Sequence, residues 1–213
     1  MPDHLREIRL EAVRRALALP DFDAPAAQRR MAPHPRPERP PERPGSPRLA
    51  AVLVLLYPMG EGLHFVLTRR TESLGVHSGQ ISLPGGRCEG AESLSRTALR
   101  ETEEEIGVRC DSVELLGELT PLYVPPSDYL IYPRVGACSA RPALRPAPSE
   151  VAEIIEAPLS LLLDDSIKGT ENITRYGQPF TIAYYHIGGH KVWGATAIML
   201  SELEWRLRAA LAE

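Results

Sequence analysis

The sequence predicts an α/β fold in which a mixed β-sheet is sandwiched between helices (α/β/α). Three observations carry that expectation. Apolar, β-branched runs bounded by turns recur from residue 48 to residue 194. Two long helical patterns accompany them, one central and one terminal. A proline-rich stretch separates this part from a further helical pattern at the N-terminus. Strands and helices in this mixed order bury their apolar faces as a sheet covered by helices.

Residues 1–19 read as a helix over Asp3 to Leu19, with Leu5, Ile8, Val13 and Leu17 on one face and charges elsewhere. Pro20 ends it. The stretch "PHPRPERPPERPGSP" excludes helix and central strand, so it reads as an extended linker. A docking segment for an aromatic groove is the other reading. "LAAVLVLLY" is a buried strand, "PMGEG" a turn, and "LHFVLTRR" a returning strand. A loop leads to "ISLPGG". A helix follows from about Ala91 to Ile106, with Gly107 as its left-handed stop. "VELLGELTPLYV" and "YLIYPRVGACS" read as one strand each, and "EVAEIIEAPL" as a strand running into a bend. "ENITRYGQPFTIAYYHIGGHKVWG" reads as strands turning at Gly177-Gln178 and Gly188-Gly189. An amphipathic helix closes the chain over Ala195 to Ala212, with Ile198, Leu200, Leu203, Leu207 and Leu211 apolar.

Composition narrows the function classes. The 213 residues carry a net charge of -4, with a pI near 5.9. That length suits one domain with appendages, and 43% apolar residues can fill its core. The mild acidity argues against nucleic acid as partner. Cys88, Cys110 and Cys138 form neither a zinc pattern nor a disulfide framework, and read as reduced thiols of a cytoplasmic protein. Charges throughout residues 1–19 exclude a signal peptide, and no apolar run is long enough to span a bilayer.

The central helix carries the chemistry. At about 100° per residue, Glu104 falls near -60° and Glu105 near +40° from Glu101, so these three share a face. Glu103, at about 200°, points away and should be replaceable. Ala91, Leu94 and Ala98 precede the carboxylates on the same side, so the face runs from core to cleft wall. Three carboxylates repel, and the helix dipole disfavours them at a C-terminus. Two readings fit. One is a solvated acidic end, eased by an Arg100–Glu104 pair. The other is a seat for a hard divalent cation, which takes oxygen ligands and shares them with phosphates.

The spacing decides between them. Gly86 is followed after five residues by Glu92, after seven more by Arg100-Glu101, and then by Glu104-Glu105-Ile106-Gly107-Val108. This resembles the Nudix box, G-x5-E-x7-R-E-U-x-E-E-x-G-U with U aliphatic. Thr102 at the first U is the one departure. The resemblance implies a Nudix hydrolase domain over 48–213, after a helical extension (1–32) and a linker (33–47). It implies that Glu101, Glu104, Glu105 and the Gly86 carbonyl ligate Mg²⁺ or Mn²⁺. It further implies that Arg100 orients the carboxylates, that Glu92 positions the loop, and that a diphosphate is hydrolysed. Glu104 and Glu105 would act in catalysis. Glu105 is the first choice for general base, with Glu150 or Glu153 in reserve.

The preceding segment, "VLTRRTESLGVHSGQISLPGG", resembles the additional motif of the coenzyme A pyrophosphatase branch. Leu67, Thr68, Arg70, Gly79, Pro84, Gly85 and Gly86 stand in register, and "HSGQ" and "VWGATA" are similar to that branch as well. Val66, Thr71 and Leu83 depart mildly, whereas Gly75 replaces an arginine. The resemblance implies cleavage of coenzyme A or acyl-CoA to 3′,5′-ADP and 4′-phosphopantetheine. Arg70, His77, Gly79 and Gln80 become the substrate contacts. Arg69 alternates with Arg70 on the strand, so only one of them faces the cleft. Other readings are another nucleoside diphosphate derivative, such as ADP-ribose or a dinucleotide, and a ligand sensor without turnover. The expected partner is a small molecule, not nucleic acid or membrane. The N-terminal helix is left to pack on its own domain or on a second copy, which leaves a homodimer open.

Overall fold

In the computed structural model the described residues are 8–36, 45–71, 79–175 and 177–212. Strand β1 (Arg48–Met59) is the centre of the molecule. Its side chains alternate between two cores, as the period of a strand requires. Ala51, Leu53, Leu55 and Tyr57 face one, and Val52, Val54 and Leu56 face the other. The first core is closed by helix α3 (Leu94–Ile106), which contributes Ala98 and Ile106. The second is closed by helix α4 (Gly194–Ala212) through Ile198, Leu200, Leu203 and Leu207. A strand buried on both faces between helices is the predicted α/β/α sandwich.

The main sheet is mixed. β1 runs antiparallel to β2 (Gly62–Arg70) and β4 (Gly85–Arg87), with β3 (Ile81–Ser82) beside β2. The segment read as the single strand "VELLGELTPLYV" is two strands, β5 (Glu114–Glu118) and β6 (Leu122–Val124). Both pair with β7 (Tyr129–Ala137), which lies parallel to β1 from Arg48–Tyr129 to Leu56–Ala137. Pro121 cannot donate to a ladder. At the break, the Thr120 N–H and hydroxyl both donate to the buried Glu202 carboxylate of α4 (3.1 and 3.0 Å). Strand β8 (Val151–Pro158) pairs with β2. A separate three-stranded sheet holds β9 (Lys168–Arg175), β10 (Gln178–Ile187) and β11 (His190–Trp193) in the order β11-β10-β9, turning at the expected glycines.

The N-terminal helix is shorter than expected among the described residues: α1 spans Leu10–Leu17. A second helix, α2 (Ala24–Arg29), follows it, capped by Asp23, whose side chain accepts from the Ala26 N–H at 2.9 Å. Both pack on α4. Ile8, Ala12, Val13, Ala16 and Met31 belong to the same core as Val54 and Leu203. The apolar face of this helix is therefore occupied within its own chain. In the expected linker, His34 and Thr181 of β10 exchange two backbone hydrogen bonds of 2.8 Å each. Residues 37–44 lie outside the described residues.

Candidate active site

Helix α3 starts at Ser93, whose hydroxyl accepts from the Arg96 N–H (3.2 Å), and stops at Gly107 with φ 74°. Thr102, the departure from an aliphatic, is fully buried and donates to the Ala98 carbonyl at 2.7 Å, so its hydroxyl is satisfied. Arg100 binds the loop and helix together. It donates to both Glu92 oxygens (2.8 and 3.2 Å) and to the Arg87 carbonyl (3.2 Å), and pairs with Glu101 (3.0 Å) and Glu104 (2.9 Å). The Arg100 bonds and the Glu89 N–H hold the Glu92 carboxyl down at about 2. Glu92 is thus the loop's fastener, the part expected of it.

The acidic residues separate into distinct environments. Glu105 is buried, only 5% exposed, and its Oε2 has no hydrogen-bond partner. Burial pushes its carboxyl up to about 8, with Glu101 and Glu150 adding to the rise and Arg70 opposing it. Burial also raises Glu101, against the pull of Arg100. Glu104 is more exposed, its side chain 58% accessible and held by Arg100. Glu103 points away, as the helix geometry requires, and accepts from the Cys110 N–H at 3.1 Å.

Gly86 lies against Glu101. A Cβ built there would sit 2.5 Å from the Glu101 carboxylate, so only glycine lets the backbone of β4 approach it this closely. Among the described residues no three His, Cys, Asp or Glu side chains form a ready-made ligand set. The donors still suit a hard divalent cation: they are all oxygens, one buried oxygen is unpartnered, and backbone comes up to a carboxylate.

A cavity of about 490 Å³ opens beside this loop. Gly85, Gly86, Arg87 and Arg70 are among its lining, together with apolar residues that include Val124, Ile131, Phe180 and Trp193. The two strand arginines divide as the alternation predicts. Arg69 is tied to Glu153 (2.9 Å), while Arg70 lines the cavity and acts on Glu105. The two reserve bases divide as well. Glu150 lies close enough to raise both Glu101 and Glu105, whereas Glu153 is engaged by Arg69 and His190 (3.2 Å).

Gln80 also lines the cavity, and Gly79 precedes it with φ 69°. His77 and Gly75 lie outside the described residues. Trp193 to Thr196 of "VWGATA" reach the cavity too, and Thr196 donates to the Ile81 carbonyl at 3.1 Å. Sequence reasoning missed Arg36, Arg87, Tyr123 and Phe180 as lining residues. Arg87 directly follows the glycine pair and was findable there. The other three are brought in by tertiary structure alone.

The fold and this loop–helix–loop define a hydrolase of phosphorus-containing anhydrides. A family model described as the NUDIX domain matches residues 47–174. The chain belongs to the Nudix family. It is 38% identical over 139 residues to an uncharacterized Nudix hydrolase NudL of Photorhabdus laumondii, covering 65% of this chain and 74% of that protein. It is 36% identical over 157 residues to the human mitochondrial coenzyme A diphosphatase NUDT8, covering 72% of this chain and 66% of that one. The matches thus take in about two thirds to three quarters of those relatives' lengths. A solved structure of a Nudix hydrolase from M. smegmatis, RenU, shares the fold at a TM-score of 0.51 and 15% identity, over 85% of this chain and 93% of that one. Among the described residues no helix is long and apolar enough to cross a membrane.

Proposed function

We propose that this chain hydrolyses the diphosphate of coenzyme A or acyl-CoA with Mg²⁺ or Mn²⁺, yielding 3′,5′-ADP and 4′-phosphopantetheine. One observation carries the reading. The cavity by the glycine pair combines three arginines, Arg36, Arg70 and Arg87, with an extensive apolar wall that includes Val124, Ile131 and Ile198. Coenzyme A asks for both, with a diphosphate and a further phosphate for the cations and an uncharged pantetheine arm for the apolar wall. The relative named coenzyme A diphosphatase supports the same substrate.

In the proposed reaction, water attacks one phosphorus, the anhydride P–O bond breaks, and the water's proton passes to Glu105 Oε2. Glu101, Glu104, Glu105 and the Gly86 carbonyl would hold the cation, which supplies Lewis-acid neutralisation of charge on the diphosphate. Arg100 fixes Glu101 and Glu104 in register through the ion pairs described. Arg70 donates to charge gathering on the phosphoryl oxygens. Glu150 is the second choice for base, because it is the reserve carboxylate whose charge acts on Glu105. Residues 48–213 carry this chemistry in the proposal, and the cytoplasm is its setting; the three cysteines are free.

The test is a product analysis. The purified chain is incubated with Mg²⁺ or Mn²⁺ and, separately, coenzyme A, ADP-ribose and NADH. Release of 3′,5′-ADP from coenzyme A at the highest kcat/KM is expected. Survival of coenzyme A while another diphosphate is cut would refute the substrate.

A further inference from the structure

The residues outside the family match bring a charge to the cavity that the box does not explain. We propose that Arg36, carried by the segment that follows the N-terminal helices, is a specificity-determining contact for a phosphate other than the two joined by the scissile bond. The identification of that phosphate with the 3′-phosphate of coenzyme A rests on the reading under Proposed function.

Placement comes first. β11 pairs with β10 only over Tyr184 to Ile187, which leaves the same edge of β10 free at Thr181. His34 takes that edge through its two 2.8 Å backbone bonds. Upstream the chain is fixed as well. Met31 is buried, Arg30 stacks on Trp205 of α4 at 3.8 Å, and Gln28 donates to Glu202 at 2.9 Å. Pro33 is thus held on both sides, and Arg36 follows two residues after the His34 bridge; both line the cavity together with Ile173, Phe180 and Ile182.

Charge comes second. Among the described residues the cavity is lined by three arginines, Arg36, Arg70 and Arg87, and by no acidic side chain. Arg70 and Arg87 lie by the glycine loop, where the scissile diphosphate would sit. Arg36 instead stands with the small-sheet residues, and it makes no hydrogen bond or ion pair to the described residues. Its guanidinium matches a phosphate farther along the substrate, which it can grip through two parallel N–H donors. It also offers a cation in place of the one missing at Gly75.

Calorimetric titration of the full chain with adenosine 3′,5′-bisphosphate and with AMP tests this without turnover. The wild type should bind the bisphosphate about tenfold more tightly than AMP, as one charge-assisted contact allows. Arg36→Ala should remove most of that preference, and Arg36→Lys should keep part of it, both at the wild-type melting temperature. A wild type without the preference, or an Arg36→Ala protein that retains it, overturns the assignment. Failure to cleave coenzyme A in the product analysis would instead refute the substrate, and a preference lost in Arg36→Ala would still give Arg36 the second phosphate.

Discussion

Glu105 shows how one side chain links stability to chemistry. Its carboxyl lies near 8 in the folded chain, against an ordinary value of 4.5. Between those values the unfolded chain has released a proton that the folded chain keeps. Stability of the metal-free protein should therefore fall as pH rises through that window, by roughly 4 kcal/mol at most. Thermal melts in chelator, from about pH 5 to about pH 8.5, check this, and Glu105→Gln should flatten the curve. A wild-type melting temperature that rises over that range would contradict it. The same variant should lower kcat by about 10²–10⁴ if Glu105 is the base; near-normal turnover would move the role to Glu150. Gly86→Ala probes the neighbouring contact. The clash at 2.5 Å is with the end of a flexible side chain, so Glu101 can swing aside and the fold can stay. Activity should drop about 10²-fold with little change in melting temperature if Glu101 is a metal ligand as proposed, because its displacement costs positioning rather than packing. The shared face of Glu101, Glu104 and Glu105 was legible from helix geometry. The Arg100–Glu104 pair was legible too, from its i, i+4 spacing. The grip of Arg100 on Glu92 and on the Arg87 carbonyl was not, because periodicity places Cα atoms and leaves rotamers open.

At the scale of elements, alternation was the most readable signal. It forecast the division of labour between Arg69 and Arg70, while β1 was read from its unbroken apolar run, which is buried on both faces. Arg70→Ala should lower kcat/KM by about 10- to 100-fold, the loss of a charged contact to phosphate. Arg69→Ala should change it less than about twofold, since its partner Glu153 is part-exposed and such pairs contribute under ~1 kcal/mol. Steady-state kinetics on both variants decides; equal losses would remove Arg70 from the site. The division of "VELLGELTPLYV" into β5 and β6 was less readable. Pro121 hinted at it, but the break is held by Glu202, 82 residues away along the chain. Local pattern cannot report a partner at that distance. The same holds for Phe180 and Tyr123, which enter the cavity by way of separate sheets.

At the scale of the molecule, α4 joins most of these threads. A helix with an ordinary apolar stripe was expected, yet Glu202 and Glu204 are fully buried beside Leu200 and Leu203. Each is compensated: Glu202 by Gln28, Thr120 and Arg206, and Glu204 by Tyr185, Lys168 and Arg208. Such groups destabilise strongly when a partner is lost, because the charge stays buried. The N-terminal segments supply one of these partners and also the apolar cover. Ile8, Val13 and Met31 together contribute roughly 5–9 kcal/mol of gross burial, offset in part by the entropy of ordering the segment. A domain's net stability is only about 5–15 kcal/mol. A chain begun at residue 45 should therefore melt at least ~10 °C lower than the full chain, or aggregate through the uncovered face of α4. Scanning calorimetry and light scattering of the two chains measure this. An unchanged melting temperature in the shortened chain would mean that residues 8–36 sit on the domain without stabilising it. Their place in the cavity would then be their only contribution, and the titration of Arg36→Ala would have to account for it alone.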